Sequence, residues 1–189
     1  MKKIVLFALM TLVFVACKSE IDMKKAVIAE KPAAGMSGPA ADGADAGALA
    51  APDFTIPALD GGTCTLSAHK GKPVLLEFWS MGCGYCRKMI PELPKIAAAL
   101  PELAIVSVHV GANSAADQIK AQFPEKKFPV CLDDGTARSA YKSLPEPFQI
   151  GGIPHFILID AQGRMRRAVV GYREAAAMIA EIRASGILK

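Results

Sequence analysis

The stretch Phe78–Leu93, FWSMGCGYCRKMIPEL, carries two of the chain's five cysteines, Cys83 and Cys86, three positions apart. An apolar run, PVLLEFW (73–79), precedes them, and RKMIPEL (87–93) continues with helical spacing. A buried strand that runs directly into a helix puts Cys83 at the helix start. There, free backbone N–H groups and the positive end of the helix dipole favour a thiolate. Cys86 falls most of a turn further in, shielded and placed to attack a mixed disulfide formed at Cys83. Thiol–disulfide exchange needs such a nucleophile and resolver of unequal exposure. Zinc would require four ligands, from two such pairs or from added histidines. Cys64 and Cys131, with His69, His109 and His155, show no ligand spacing. No metal and no other cofactor is implied.

The flanking segments alternate. FTIPALDGGTCTLSAHKG (54–71) reads as two extended pieces around the DGG turn, a hairpin. LAIVSVHV (103–110) and FPVCLDD (128–134) read as further strands. SAADQIKAQF (114–123) and TARSAYKSL (136–144) read as helices, with Ser114 a candidate N-cap. HFILIDAQGRMRRAVVG (155–171) reads as a hairpin turned at DAQG, and REAAAMIAEIRAS (173–185) as a closing helix stopped near Gly186. Pro91 and Pro94 should kink or interrupt the helix that begins at Cys83. This order predicts an α/β domain with a central mixed sheet flanked by helices and parallel βαβ units at its middle.

The chain opens MKKIVLFALMTLVFVAC (1–17), two lysines followed by an apolar run from Ile4 to Ala16. That run is short for a membrane span and has the layout of an export signal. FVAC resembles the lipobox of bacterial lipoproteins, with Phe14 where that pattern usually has Leu. The resemblance implies acylation of Cys17 as the mature N-terminus and residues 1–16 as a signal peptide. An ordinary cleaved signal or an uncleaved anchor would serve the same export, and all three readings place the domain where disulfides persist. From Ala33 to Ala51, thirteen of nineteen residues are Ala or Gly. Residues 17–51 therefore read as a tether, about 30 Å long as a flexible coil. Residues 52–189 form one domain's worth of chain. The formal charge falls from +4 to +2 once Lys2 and Lys3 leave with the leader. No basic stripe with interleaved aromatics points to nucleic acid.

PVLLEFWSMGCGYCRKMIPEL (73–93) together with GGIPHFILIDAQGRMRRAVVGY (151–172) resembles the thioredoxin fold. The longer layout is similar to TlpA/ResA-like envelope thiol–disulfide oxidoreductases, with an N-terminal hairpin and an extra βα insertion, FPVCLDDGTARSAYKSL (128–144). The resemblance implies that Trp79 shields the active-site base, that Pro91 kinks the active-site helix and that Ile153 and a cis-Pro154 face the cysteine pair. It also aligns Gly171 with the glycine of the last strand. The implied partners are client proteins with thiols or disulfides, a membrane redox protein and the membrane itself through the lipid anchor, with the domain acting as a monomer.

Several residues refine this expectation. Glu77 lies on the strand beneath the cysteines, where TlpA-like proteins often have Asn, thioredoxin has Asp and disulfide isomerases and oxidases have Glu. Burial raises a carboxyl pKa and makes Glu77 a proton acceptor for Cys86. Met89 stands where ResA-like proteins carry Glu, which weakens a cytochrome c maturation role. Gly84-Tyr85 matches the periplasmic disulfide isomerase, yet Ile153 precedes the proline as in thioredoxin and no dimerisation domain is present. Tyr85 and His155 are expected on the substrate surface with Gly84, Trp79, Ile153 and Pro154. Cys64 and Cys131 are left as a second disulfide, buried free thiols or a relay, with a buried structural role favoured. The expected activity is reduction of client disulfides; isomerase or oxidase action, or a non-catalytic metal-delivery or binding module, are the alternatives.

Overall fold

The computed structural model describes residues 49–111, 116–122 and 127–188. The expected signal peptide (1–16), Cys17, most of the expected tether and Ser114 lie outside the described residues. Among the described residues, no helix is long and apolar enough to cross a membrane.

Two short strands, β1 (Thr55–Pro57) and β2 (Thr63–Thr65), pair antiparallel across the turn at Gly61, as the DGG motif predicts. β3 (Val74–Trp79) then leads into α1 (Gly84–Met89) and α2 (Leu93–Ala99). The single helix expected from Cys83 onward is thus broken at Ile90–Glu92. Pro91 and Pro94 account for the break, since each lacks the N–H that a continuing helix would use. β4 (Ala104–His109), α3 (Ala116–Gln122), β5 (Val130–Leu132) and α4 (Thr136–Lys142) follow. The hairpin of β6 (His155–Ile159) and β7 (Met165–Val170) precedes α5 (Ala175–Ala184).

The main sheet has the order β5-β4-β3-β6-β7. β3 pairs parallel with β4 and antiparallel with β6, so the sheet is mixed and β3 is its centre. Every residue of β3 is buried. Its odd positions, Leu75 and Trp79, join Cys86, Leu93, Ile96, Phe156, Met178 and Ile182 in one core under α1, α2 and α5. Its even positions, Leu76 and Phe78, join Phe54, Ile56, Val106, Tyr141 and Phe148 in a second core on the other face. Burial of both faces explains why PVLLEFW reads as a continuous apolar run and not an alternating one. Tyr141 of α4 packs on Phe78 at 5.0 Å between ring centroids and donates its hydroxyl to the Pro52 carbonyl at 3.0 Å. These contacts fix the inserted βα segment on the second face.

Cys64 of β2 and Cys131 of β5 are joined in a disulfide with both side chains buried. Of the three possibilities the sequence leaves open, the structure has the bond. It closes 67 residues and fastens the N-terminal hairpin to the edge of the main sheet. In the chain-entropy model a loop of that length is worth about 4 kcal/mol against the unfolded state. Urea titration of the Cys64→Ala/Cys131→Ala double variant should therefore show a loss of about 2–4 kcal/mol. Unchanged stability would mean that the hairpin's packing alone holds it.

Candidate active site

Trp79 ends β3, and a turn through Met81 and Gly82 carries the chain to Cys83, whose N–H donates to the Ser80 carbonyl at 3.2 Å. Cys83 is the N-cap of α1, with extended backbone angles, and its Sγ accepts the Cys86 N–H at 3.1 Å. A side-chain acceptor at this position satisfies one of the free donors of the first helical turn. Cys83 is half-buried, whereas Cys86 has no exposed surface. The two are joined as a disulfide, so the structure holds the oxidised form. The Cys83 sulfur also lies 3.5 Å from the Ile153 carbonyl oxygen; in the dithiol form its S–H would donate there.

The Ile153–Pro154 peptide bond is cis, and a second cis bond precedes Pro147. The Gly171 N–H donates to the Pro154 carbonyl at 2.8 Å, holding this segment against the end of β7. Gly171 has φ +89°, a conformation that a side chain would resist. Tyr85 projects outward with 63% of its surface exposed, and the Lys88 ammonium lies 5.5 Å from its ring centroid. Gly84 beside it is exposed and Ile153 is half-buried.

Glu77 lies on the β3 face that carries Leu75 and Trp79, toward the core containing Cys86. It is buried, and its Oε2 accepts the Ser107 hydroxyl at 2.8 Å while Oε1 has no hydrogen-bond partner. Burial outweighs that single hydrogen bond and pushes the carboxyl pKa up to about 7. Ser107 is the residue directly across the parallel β3–β4 ladder. One position further along the same face, His109 sits opposite Trp79, with the rings edge-on at 4.9 Å. His109 Nε2 accepts the Met81 N–H at 3.3 Å, which fixes the turn before Cys83 and leaves the ring proton on Nδ1. Burial lowers the pKa of His109. A Cβ at Gly111 would stand 2.5 Å from the His109 ring, so this imidazole requires glycine there. Ser107 and His109 escape a reading based on spacing within one segment. Aligning LAIVSVHV in parallel register with PVLLEFW would have found both.

Two expected surface residues are corrected. Trp79 is fully buried and lies among the core side chains with Cys86, so it offers no face to a client. His155 is 1% exposed and sits on the opposite sheet face from Glu77, because β6 alternates and His155 pairs with Phe78. Neither His155 ring nitrogen has a hydrogen-bond partner, and burial lowers its pKa to about 4. Among the described residues, no group of three or more His, Cys, Asp or Glu side chains is arranged to hold a metal.

A strand-to-helix cysteine pair facing a cis-proline places the chain among known proteins. The AhpC/TSA family model matches residues 48–168. The chain belongs to the AhpC/TSA family. Thiol-disulfide oxidoreductase ResA of Bacillus cereus is 28% identical over 123 residues, 64% of this chain and 68% of that protein. The thioredoxin-like protein YneN of Bacillus subtilis is 29% identical over 125 residues, 64% of this chain and 69% of its own. Among solved structures, a DsbE-type thiol:disulfide interchange protein from Chlorobium tepidum superposes with a TM-score of 0.63 at 30% identity. That match covers 73% of this chain and 96% of the Chlorobium one. The fold is the thioredoxin fold, and the AhpC/TSA member described here is a thiol–disulfide oxidoreductase.

Glu77 and His155 give the family member a paired pH dependence. Glu77 is raised from 4.5 to about 7, so the folded state binds the extra proton between those values and stability falls as pH rises through them. His155 is lowered from 6.5 to about 4, so the unfolded state binds the extra proton and stability falls as pH drops through that window. Each shift is worth about 3 kcal/mol, and the slopes cancel between about pH 4.5 and 6.5. Denaturant unfolding of Glu77→Gln should show stability steepening upward with pH there by about 1.4 kcal/mol per unit relative to the parent. His155→Phe should tilt the opposite way. Parallel curves for parent and variants would remove both groups from the balance.

Proposed function

We propose that the protein is an extracytoplasmic, lipid-anchored reductase of client disulfides, working through Cys83-Gly84-Tyr85-Cys86. The observation that carries this reading is the unequal burial of the pair. Cys83 is half-open at the start of α1 beside the Ile153 carbonyl, while Cys86 is sealed in the core on the sheet face that carries Glu77, a buried carboxyl with a raised pKa. In the reduced protein, the Cys83 thiolate attacks one sulfur of a client disulfide, and the other client sulfur leaves as a thiolate. Cys86 then gives its proton to Glu77 and attacks the Cys83 sulfur, releasing the second client thiolate. Two electrons pass to the client and the Cys83–Cys86 disulfide remains. A dithiol membrane partner resets the pair by the reverse exchange. The client backbone lies against Ile153 and Pro154, with Gly84 and Tyr85 forming the rim.

Export is supported by the apolar leader (1–16) and by the buried Cys64–Cys131 disulfide, a bond favoured in oxidising compartments. Cys17 is the acylation site in this reading and residues 17–51 the tether. The isomerase-like Gly84-Tyr85 favours a potential less reducing than thioredoxin's, so the direction of electron flow is read from the couple itself. A Cys83–Cys86 potential nearer about −270 mV than about −120 mV supports the reductase, and the converse makes the protein an oxidant. Dithiothreitol-driven insulin reduction tests turnover in the same preparation.

Two substitutions separate the chemical steps. Cys86→Ser should accumulate mixed disulfides between Cys83 and clients, visible on non-reducing gels; accumulation through residue 86 in a Cys83→Ser protein instead would reverse the roles. Glu77→Gln keeps the shape and the Ser107 hydrogen bond but cannot take the Cys86 proton. Stopped-flow measurement should show resolution slowed by roughly 10²-fold and attack by Cys83 changed much less. Equal slowing of both steps would count against proton transfer to Glu77.

A further inference from the structure

We propose that the cleft between α4 and the Gly151–Ile153 segment is a client subsite that takes an acidic side chain close to the client's reactive cysteine. The proposal deepens the exchange reading above and depends on it. A cavity of about 370 Å³ is lined by Ser80, Val110, Arg138, Lys142 and Ile150 through Ile153. It adjoins the reaction centre through two shared residues. Ile153 approaches the Cys83 sulfur, and Ser80 accepts the Cys83 N–H.

Arg138 and Lys142 are four residues apart on α4 and therefore on one face of the helix. Both are exposed, and neither forms an ion pair with a described residue. The two carboxylates that precede α4 accept N–H groups at its start. Asp133 accepts the Ala137 and Arg138 N–H groups at 3.0 and 3.3 Å, and Asp134 accepts that of Thr136 at 3.0 Å. The cleft walls are fastened to one another: Ile150 N–H donates to the Tyr141 carbonyl at 3.3 Å, and Gln149 Nε2 to the Lys142 carbonyl at 3.0 Å. The backbone of α4 that carries the two cations is thus held at a set position relative to Ile150.

Gly151 and Gly152 form the floor. Both are exposed, neither has a positive φ, and a Cβ on Gly151 would meet nothing within 4 Å. Neither conformation nor crowding requires glycine at 151. What glycine does there is leave backbone uncovered, and no backbone hydrogen bond from another described residue engages either one. An extended client segment continuing past Ile153 would lie on this bare backbone, beside two cations that have no ion-pair partner among the described residues. Ile153 both lines the cleft and approaches the Cys83 sulfur, and an extended chain advances about 3.3 Å per residue. The acidic side chain accordingly belongs within a few positions of the client cysteine. A cleft of this size with two cations suits a carboxylate on a peptide; a polyanion would need a continuous basic surface.

Short capped peptides test this, each with one cysteine joined to thiopyridine as a neutral mixed disulfide. Aspartate is placed two or three residues to either side of the cysteine, and asparagine replaces it in the controls. The protein, reduced beforehand with dithiothreitol and desalted, supplies both electrons. The Cys83 thiolate attacks the peptide sulfur and expels thiopyridone, which absorbs; Cys86 then displaces the peptide thiolate and the pair becomes a disulfide. At low salt, the second-order rate constant for thiopyridone release from the best aspartate peptide should exceed its asparagine counterpart roughly 3- to 10-fold, the yield of two exposed charge contacts. In about 1 M salt, where the Debye length is about 3 Å, the ratio should approach one. Arg138→Glu/Lys142→Glu should bring it below one, while the rate with uncharged dithiodipyridine stays at the parent value. Equal rates for both peptides beside normal dithiodipyridine consumption would overturn the subsite and leave the exchange reading standing. An aspartate preference that survives the charge reversal would overturn its assignment to α4. Failure to consume dithiodipyridine at all would overturn the exchange reading and this inference together.

Discussion

The domain described by residues 49–188 is organised by the burial of β3 on both faces. A strand with helices on each side has no solvent to hydrogen-bond, so all its backbone groups must find neighbours, which β4 and β6 provide. That constraint sets the sheet order, gives the two cores their boundaries and fixes the point at which the chain leaves the sheet to begin α1. Cys83 stands at that exit. Its exposure, the burial of Cys86 and the approach of Ile153 all follow from where β3 stops.

Placing a carboxyl in such a strand is costly, since an ionised group loses its hydration and gains a single hydroxyl from Ser107. The position is tolerable because the group is close to half-protonated near neutrality. On the opposite face His155 meets the same constraint with the opposite sign, staying neutral where an exposed imidazole would begin to charge. One sheet therefore separates a carboxyl that burial makes easier to protonate from an imidazole that burial makes harder to protonate. Only the first shares its core with the cysteines.

The parts of this arrangement legible in the sequence were those carried by local pattern. The apolar run 73–79, the CxxC at its end, the DGG hairpin and the DAQG hairpin each specify an element through neighbours in the chain. Long-range register was not legible. His155 looked exposed because it follows a proline at the mouth of the site, but strand alternation turns it inward against Phe78. His109 and Ser107 matter through the parallel ladder with β3, and nothing within LAIVSVHV marks that partner. The Cys64–Cys131 bond spans two elements that meet only after the sheet has formed, so spacing could not select it from the alternatives.

That second disulfide has a consequence for the protein's own survival. A population of thiol–disulfide oxidoreductase molecules is surrounded by copies of itself, each able to attack an accessible disulfide. Cys64 and Cys131 are 5% and 0% exposed, beneath the packed hairpin, so an incoming thiolate has no line of attack on either sulfur. Burial here acts as kinetic insulation: while the hairpin stays packed, the bond is out of reach of thiol exchange. One chain thus carries two disulfides of opposite kinetics, a half-open one that exchanges and a sealed one that does not.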